Sequence, residues 1–333
     1  MRPLSTDPSA AAPVPPEFLA AVRAAAEGAS VVTFERFMET ALYDPHVGYY
    51  RRNRPRIGYG PGTDFLTATR SAPLLGRLAA AACVNLLGGR DPKAHAFIEI
   101  GPEPGGGVLK GGPHPFGGGR CVAVGGSLEL RGPCVVFSNE LFDAQPFRRF
   151  RFRSGAWREW GVAVDGPLLI EVEMPDTTGL GPLPPSAPEG YVIDAPVAAA
   201  RLARTIAAQP WTGLFIAFDY GKTWAELAGD TPAGTARAYH RHVQSNDLLA
   251  RPGDQDLTCH VCWDWLVESL QSEGFSSPTL ESQEAFFMHH ASECIASIIE
   301  AETAGLSRDK LSLLQLLHPA NLGRKFQVLW AVR

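Results

Sequence analysis

Long apolar runs, runs of basic residues and paired cysteine motifs are all scarce in this chain of 333 residues. No stretch approaches the ~18 apolar residues that a membrane-spanning helix requires. The N-terminal segment Met1 to Pro16 is rich in Ala and Pro and lacks the basic-then-apolar order of a signal peptide, which points to a cytoplasmic protein. A formal net charge of −5 without any Lys/Arg run argues against nucleic acid or an anionic membrane as the main partner. The one basic cluster, Arg51-Arg52-Asn53-Arg54-Pro55-Arg56, reads as a solvated loop or a local anchor. The six cysteines (83, 121, 134, 259, 262 and 294) are scattered, which fits reduced thiols rather than a disulfide framework. Cys259-His260-Val261-Cys262 has the spacing of half a zinc site, but no second pair exists to complete it, so the sequence offers no metal ligand set. No internal repeat is present.

What is there belongs to a globular chain. A hydrophobic share of 45 % with 20 % charged residues is ordinary for a soluble domain, and the length suits one elaborated domain or two intimate ones. Residues 1–16 read as a disordered tail and 17–95 as an N-terminal helical cap. Helices are expected over 17–27, from Thr33 as N-cap to Tyr43, and over 72–87, where the apolar residues recur at helical spacing. The stretch 48–64 reads as a loop. From residue 96 the pattern changes to short apolar runs at 96–100, 121–124, 134–137 and 213–218, which are buried strands of a largely parallel sheet. Two further runs, 147–160 and 168–172, alternate like an antiparallel addition to that sheet, and 176–190 is a proline- and glycine-rich loop. Helices are expected over 195–208, 262–273 and 285–304, with a closing strand over 324–332.

Several ordered motifs resemble the MidA-type SAM-dependent methyltransferases. They are Thr33-Phe34, Phe37-Met38, Ala41-Leu42-Tyr43, Pro45 and Gly48-Tyr49-Tyr50, then Asp64-Phe65 with Thr67-Ala68, then Ser138-Asn139-Glu140-Leu141-Phe142-Asp143-Ala144 with Pro146. The series continues through Asp219-Tyr220-Gly221, Gly234-Thr235, Arg237-Ala238-Tyr239, His242, Pro252-Gly253, Asp256-Leu257-Thr258, His260-Val261, Leu316-Leu317, Pro319, Gly323, Phe326 and Val328-Leu329. The resemblance implies an α/β fold: a Rossmann-like methyltransferase sheet over 96–333, with inserted substrate-facing regions around 147–210 and 222–300. It also implies S-adenosyl-L-methionine as cofactor, a protein arginine as methyl acceptor and a role in assembling a respiratory complex, so a respiratory-complex subunit is the expected partner.

The residues themselves give two halves of unequal strength. Glu99 to Gly105 occupies the place of the cofactor turn, with Gly101 and Gly105 free for close backbone approach. Where the family usually has a glycine, Glu103 adds bulk and charge. Residues 105–119 hold eight glycines and two prolines in fifteen positions, and at roughly 1 kcal/mol per Gly and 3 per Pro they cannot form a stable helix. Only 42 residues run from Phe97 to Ser138, too few for four strands with three crossovers. The sheet is therefore expected to be shortened by about one strand-helix unit. The family's ribose-binding acid after the second strand has no evident counterpart except a weak substitute, Glu129. The stretch 101–119 reads equally as a loop without a ligand.

Asn139, Glu140 and Asp143 form the sharper feature, because an amide and two carboxylates directly after a buried strand must find partners or face a ligand. As a site, Glu140 and Asp143 bind a substrate cation, Asn139 orients it, and a carboxylate takes the proton lost on methylation. As structure, Asn139 caps a following helix and the acids make a salt bridge. Asp219 and Tyr220 repeat the situation after the 213–218 strand, and Arg237, Tyr239 and His242 are candidates for the same crevice. Asp64 and Thr67 lie in a loop that the family places near the cofactor, with a turn-stabilising Asp as the alternative. Three functions remain open: an active protein methyltransferase, an inactive pseudo-methyltransferase that binds a protein partner as an assembly factor, and a small-molecule methyltransferase.

Overall fold

Alternating apolar residues on successive strands build the centre of the molecule. The computed structural model describes residues 13–52, 72–103, 106–175, 179, 183–301 and 308–333. Six strands form one sheet: β1 Ala96–Ile100, β2 Gly118–Val122, β3 Gly132–Asn139, β4 Trp211–Asp219, β5 Ser276–Ser282 and β6 Gln327–Val332. Their spatial order is β5-β6-β4-β3-β1-β2. The pairs β1–β2, β1–β3 and β3–β4 are parallel, while β6 runs antiparallel to both β4 and β5. All four parallel strands thus end at one edge, where ligands of open α/β sheets bind. Between Phe97 and Ser138 the described residues supply three parallel strands.

Side-chain alternation sends Phe97, Val135, Phe137, Leu214, Ile216 and Phe218 to one face of the sheet. There they meet Leu74, Leu75, Leu78 and Cys83 of the helix Ala72–Leu86, together with Phe286, Phe287 and Leu316 from the C-terminal helices. Ile98, Ile100, Val136, Phe215 and Ala217 face the other way, onto the helices Val197–Ala207 and Trp263–Ser272. Helices on both faces explain why these strands are buried runs rather than half-polar ones.

Several boundaries differ from the sequence reading. Residues 13–16 do not belong to a disordered tail: Val14 is 6 % exposed, its N–H donates to the Pro167 carbonyl at 3.0 Å, and a helix begins at Pro16. The second strand is Gly118–Val122 rather than 121–124, because the ladder to β1 recruits Gly118 and Gly119 despite their poor strand propensity. Residues 147–160 are two strands, Arg148–Arg153 and Ala156–Asp165, joined by a turn in which Ser154 (φ 51°) and Gly155 (φ 76°) are both left-handed. They are also not an addition to the central sheet. With Val31–Thr33, Leu168–Glu173 and Val192–Ala195 they make a separate five-stranded antiparallel sheet. The expected helix over 285–304 is two, Gln283–His290 and Ser292–Ala301, broken where Ala291 adopts φ −133°. Thr33 does cap the helix Phe34–Tyr43, accepting from Arg36 N–H at 3.1 Å.

The N-terminal helices Pro16–Ala25 and Phe34–Tyr43 pack with the second sheet through Phe18, Phe34, Phe37, Phe147 and Val162. The Phe34 and Phe147 rings stack at 5.1 Å. Among the described residues no helix is long and apolar enough to cross a membrane.

At the far edge of β4, the Arg333 guanidinium gathers four carbonyls. One nitrogen donates to Ala207 (2.7 Å) and Glu273 (2.9 Å), where two helices end, and the other to Gln209 (2.9 Å) and Trp211 (2.6 Å). Arg333→Ala removes all four charge-assisted bonds and is expected to cost about 2–3 kcal/mol, read as a lower denaturation midpoint in urea. Arg333→Lys should recover only part, since an ammonium cannot reproduce the planar fork.

Candidate functional site

The chain after β3 does not enter a helix. Residues 140–147 turn irregularly, so Asn139 is no helix cap. Glu140 sits at φ 52°, a left-handed conformation costly for a residue with a Cβ. Its N–H donates to the Phe218 carbonyl at 2.9 Å, tying the turn to β4. Asp219, fully buried, completes the tie: one carboxylate oxygen accepts from Phe142 N–H (2.8 Å) and Asp143 N–H (3.3 Å), the other from Tyr220 N–H (2.9 Å). The sequence reading left Asp219 open between substrate contact and structure. Its geometry is that of a carboxyl group holding the turn that displays Glu140.

Around this turn the acids crowd. Glu140 is half-buried, with its carboxylate accepting from Asn139 Nδ2 at 3.0 Å, and burial followed by the neighbouring Asp143 and Glu103 charges raises its pKa well above the usual range. Asp143 is 3 % exposed and bonded to Tyr220, and burial pushes it up to about 6. Asp219 is raised by burial and then by Asp143. Asn139 Oδ1 and Asp143 Oδ1 are buried without a hydrogen-bond partner. Tyr50, on the other side, donates to Asp256 Oδ1 at 2.9 Å and stacks on Tyr43 at 5.5 Å. Tyr43 in turn donates to the Ala144 carbonyl at 2.9 Å.

A cleft of about 560 Å³ opens over the carboxyl ends of β1, β2 and β3. Its wall joins Gly101 and Glu103 from the first turn, Gly125 and Gly126 after β2, and Glu140 with Leu141 after β3. Glu35, Tyr43, Tyr50 and Arg51 close it from the N-terminal side. The two halves of the sequence signature therefore face one cavity. Gly101 (φ 70°) and Gly125 (φ 78°) both need the left-handed region, and a Cβ on Gly101 would press on Leu141. Arg51 crosses the mouth beside Gly125, its guanidinium donating to the Val124 carbonyl at 3.0 Å.

Other candidates are placed differently. Glu99 points to the opposite face, into a separate cavity of about 340 Å³, where its carboxylate accepts from Val108 N–H at 2.6 Å. Burial, reinforced by Glu103, raises it to about 7. Glu129 is exposed and accepts from Ser127 Oγ rather than facing the cleft. Tyr220 packs edge-on against His260 at 5.5 Å and lies behind the cleft with Asp143. Arg237 donates to the Ala236 carbonyl (2.6 Å), and Tyr239 donates to Gln244 (3.1 Å) while feeling the Asp143 and Asp256 charges. His242 is exposed in the turn between the strands Arg237–His240 and Val243–Ser245, and so is not brought to the cleft. Asp64, Thr67 and Gly105 lie outside the described residues. Tyr50, Asp256, Gly125 and Arg51 went unnoticed as site-forming residues, although Tyr49-Tyr50 and Asp256 belong to the motifs quoted above. Cys259 and Cys262 are buried thiols whose pKa values burial raises.

Glu99 yields a signed prediction. A carboxyl raised to about 7 in the fold holds its proton after the unfolded chain has lost its own. Its contribution is therefore greatest below the ordinary carboxylate range and declines as pH rises from about 4.3 through 7. Glu99→Gln keeps an acceptor for Val108 and should raise Tm at pH 8 by more than at pH 5, with at most about 3 kcal/mol at stake.

Comparison with known proteins agrees with the fold. Residues 126–279 match a family described as "Putative S-adenosyl-L-methionine-dependent methyltransferase". A COG1565 superfamily member from Burkholderia thailandensis, solved with S-adenosyl-homocysteine bound, superposes with a TM-score of 0.81 at 24 % identity over 96 % of this chain and 95 % of that one. A native structure of a COG1565 superfamily protein from the same organism gives 0.78 at 24 % identity, again over 96 % and 95 %. No curated protein matches the chain.

Proposed function

We propose that the chain is a SAM-dependent methyltransferase of the MidA type, acting on an arginine side chain of a protein. The observation that carries this reading is the single cleft in which the Gly101 turn and the Glu140 turn meet at the carboxyl ends of β1, β2 and β3. The matched methyltransferase family and the structural relative bound to S-adenosyl-homocysteine support its methyltransferase part.

The residues present fit the cofactor. Gly101, Gly125 and Gly126 leave backbone bare for close approach, and the Glu103 and Glu140 carboxylates face the same space and favour a sulfonium cation. Where the family carries an acid for the ribose, this chain has Gly125 beside the Arg51 guanidinium, so hydroxyls there meet backbone and a cation. We read the six-stranded sheet as one lacking an outer strand-helix unit, which leaves β2 at the edge and this corner open. The bound cofactor supplies an electrophilic methyl group.

What the chain's own residues contribute is a cation site and a proton acceptor. Glu140 lines the cleft, where a guanidinium can meet it. Its raised pKa follows from burial among like charges, and an arriving cation offsets those charges and favours the ionised carboxylate. Asn139 holds that carboxylate by its amide. Asp143, behind it and bonded to Tyr220, adds negative potential rather than direct contact. A guanidinium loses a proton when its nitrogen is methylated, and Glu140 is placed to accept it. Positioning supplies the remainder of the rate.

Two measurements test the reading. Titration calorimetry should detect S-adenosyl-L-methionine or its demethylated product; absence of heat at millimolar ligand sinks it. Labelled-methyl transfer to arginine-bearing peptides should fall by about 10²-fold or more in Glu140→Asn. Asn tolerates the left-handed conformation and carries no charge, so Tm of this variant should not drop, and its gain should be larger at pH 8 than at pH 5. A variant that unfolds would assign Glu140 to structure instead.

A further inference from the structure

A second constellation stands away from the cleft, at the junction of β5 and the helix Gln283–His290. Glu281 Oε2 lies 2.5 Å from His289 Nδ1, and Glu281 Oε1 lies 3.0 Å from His290 Nε2. One donor atom from each residue falls within 4.8 Å of the other two. Two imidazoles and one carboxylate are a donor set suited to zinc and its first-row neighbours, with three protein ligands leaving a position open.

The donors are held in place. Trp330 Nε1–H donates to Glu281 Oε1 at 3.0 Å, fixing the carboxylate from behind as second-layer partners of metal ligands do. The His290 ring is packed between Phe286 (5.1 Å) and Trp330 (5.4 Å). The histidines occupy consecutive positions at the end of the helix, with His290 17 % and His289 63 % exposed, so the open side faces solvent.

The geometry points to a divalent transition-metal site formed by Glu281, His289 and His290, with zinc as its natural occupant and one position free for water or an exchangeable ligand. At metal–ligand distances of about 2.0–2.2 Å, a small outward shift of the imidazoles from Glu281 accommodates the ion.

The test uses the full chain and zinc chloride. Equilibrium dialysis with elemental analysis should return one zinc per chain, and binding should weaken by at least about tenfold in His289→Ala and in Glu281→Gln, and by about 10-fold in the Trp330→Phe variant. Cobalt substitution should give a ligand-field spectrum without a thiolate charge-transfer band, which separates this site from the six cysteines. His289 is exposed, so its variant should keep the wild-type Tm without metal and lose only the metal-induced rise. No stoichiometric zinc, or zinc retained undiminished in His289→Ala, overturns the assignment.

Discussion

Everything at the cleft depends on one buried carboxyl group accepting three backbone amides. Asp219 ends β4, yet two of the N–H groups it accepts belong to Phe142 and Asp143, beyond the end of β3. With the Glu140 N–H on the Phe218 carbonyl, it forces the chain leaving β3 into a turn rather than a helix. That turn alone holds Glu140 in its left-handed backbone and sets Leu141 against Gly101. Strain at one residue is sustained because four hydrogen bonds around it determine the backbone more strongly than its own preference does.

Among the described residues, no cation acts on the three acids gathered by this arrangement strongly enough to offset their burial. Glu140, Asp143 and Asp219 all have raised pKa values, each first because of burial and then, for Glu140 and Asp219, because of the others. Tyrosines rather than bases surround them: Tyr220 on Asp143 and Tyr50 on Asp256. Phenols donate hydrogen bonds but add no positive charge, so the negative potential stays available to a visiting cation. The low dielectric that makes the cluster costly is what would make it selective.

How far the sequence foretold this can be judged residue by residue. The buried strands were legible because Phe97-Ile98, Val135-Val136-Phe137 and Leu214 to Phe218 are apolar runs that parallel sheets require. The absence of a helix at 106–117 was legible from the glycines and prolines there. Glu140 was marked by its place after β3, but its backbone strain was not, since φ depends on Asp219, which binds the turn at Phe142 from 77 positions further along the chain. Glu99 misled because strand alternation, not position in the motif, decides which face a side chain takes, and it takes the face opposite Ile100. The second sheet was misjudged because the Ser154-Gly155 turn hides inside an alternating pattern, and the pairing partner Val31–Thr33 lies far upstream. Glycine composition left 101–119 open between a cofactor turn and a loop without a ligand; Gly101 and Glu103 line the same cavity as Glu140.

The long-range tie between Asp219 and the turn after β3 also fixes when the cleft can come into being. The strands that carry it, β3 and β4, are separated by the whole antiparallel sheet segment from Arg148 to Ala195 and a helix. Closing so large a loop is entropically slow, and a ribosome releases β4 well after β3. A nascent chain emerging up to residue 210 therefore carries Glu140 on an unanchored segment, and the cleft takes shape only when β4 docks. A half-made chain has no cleft.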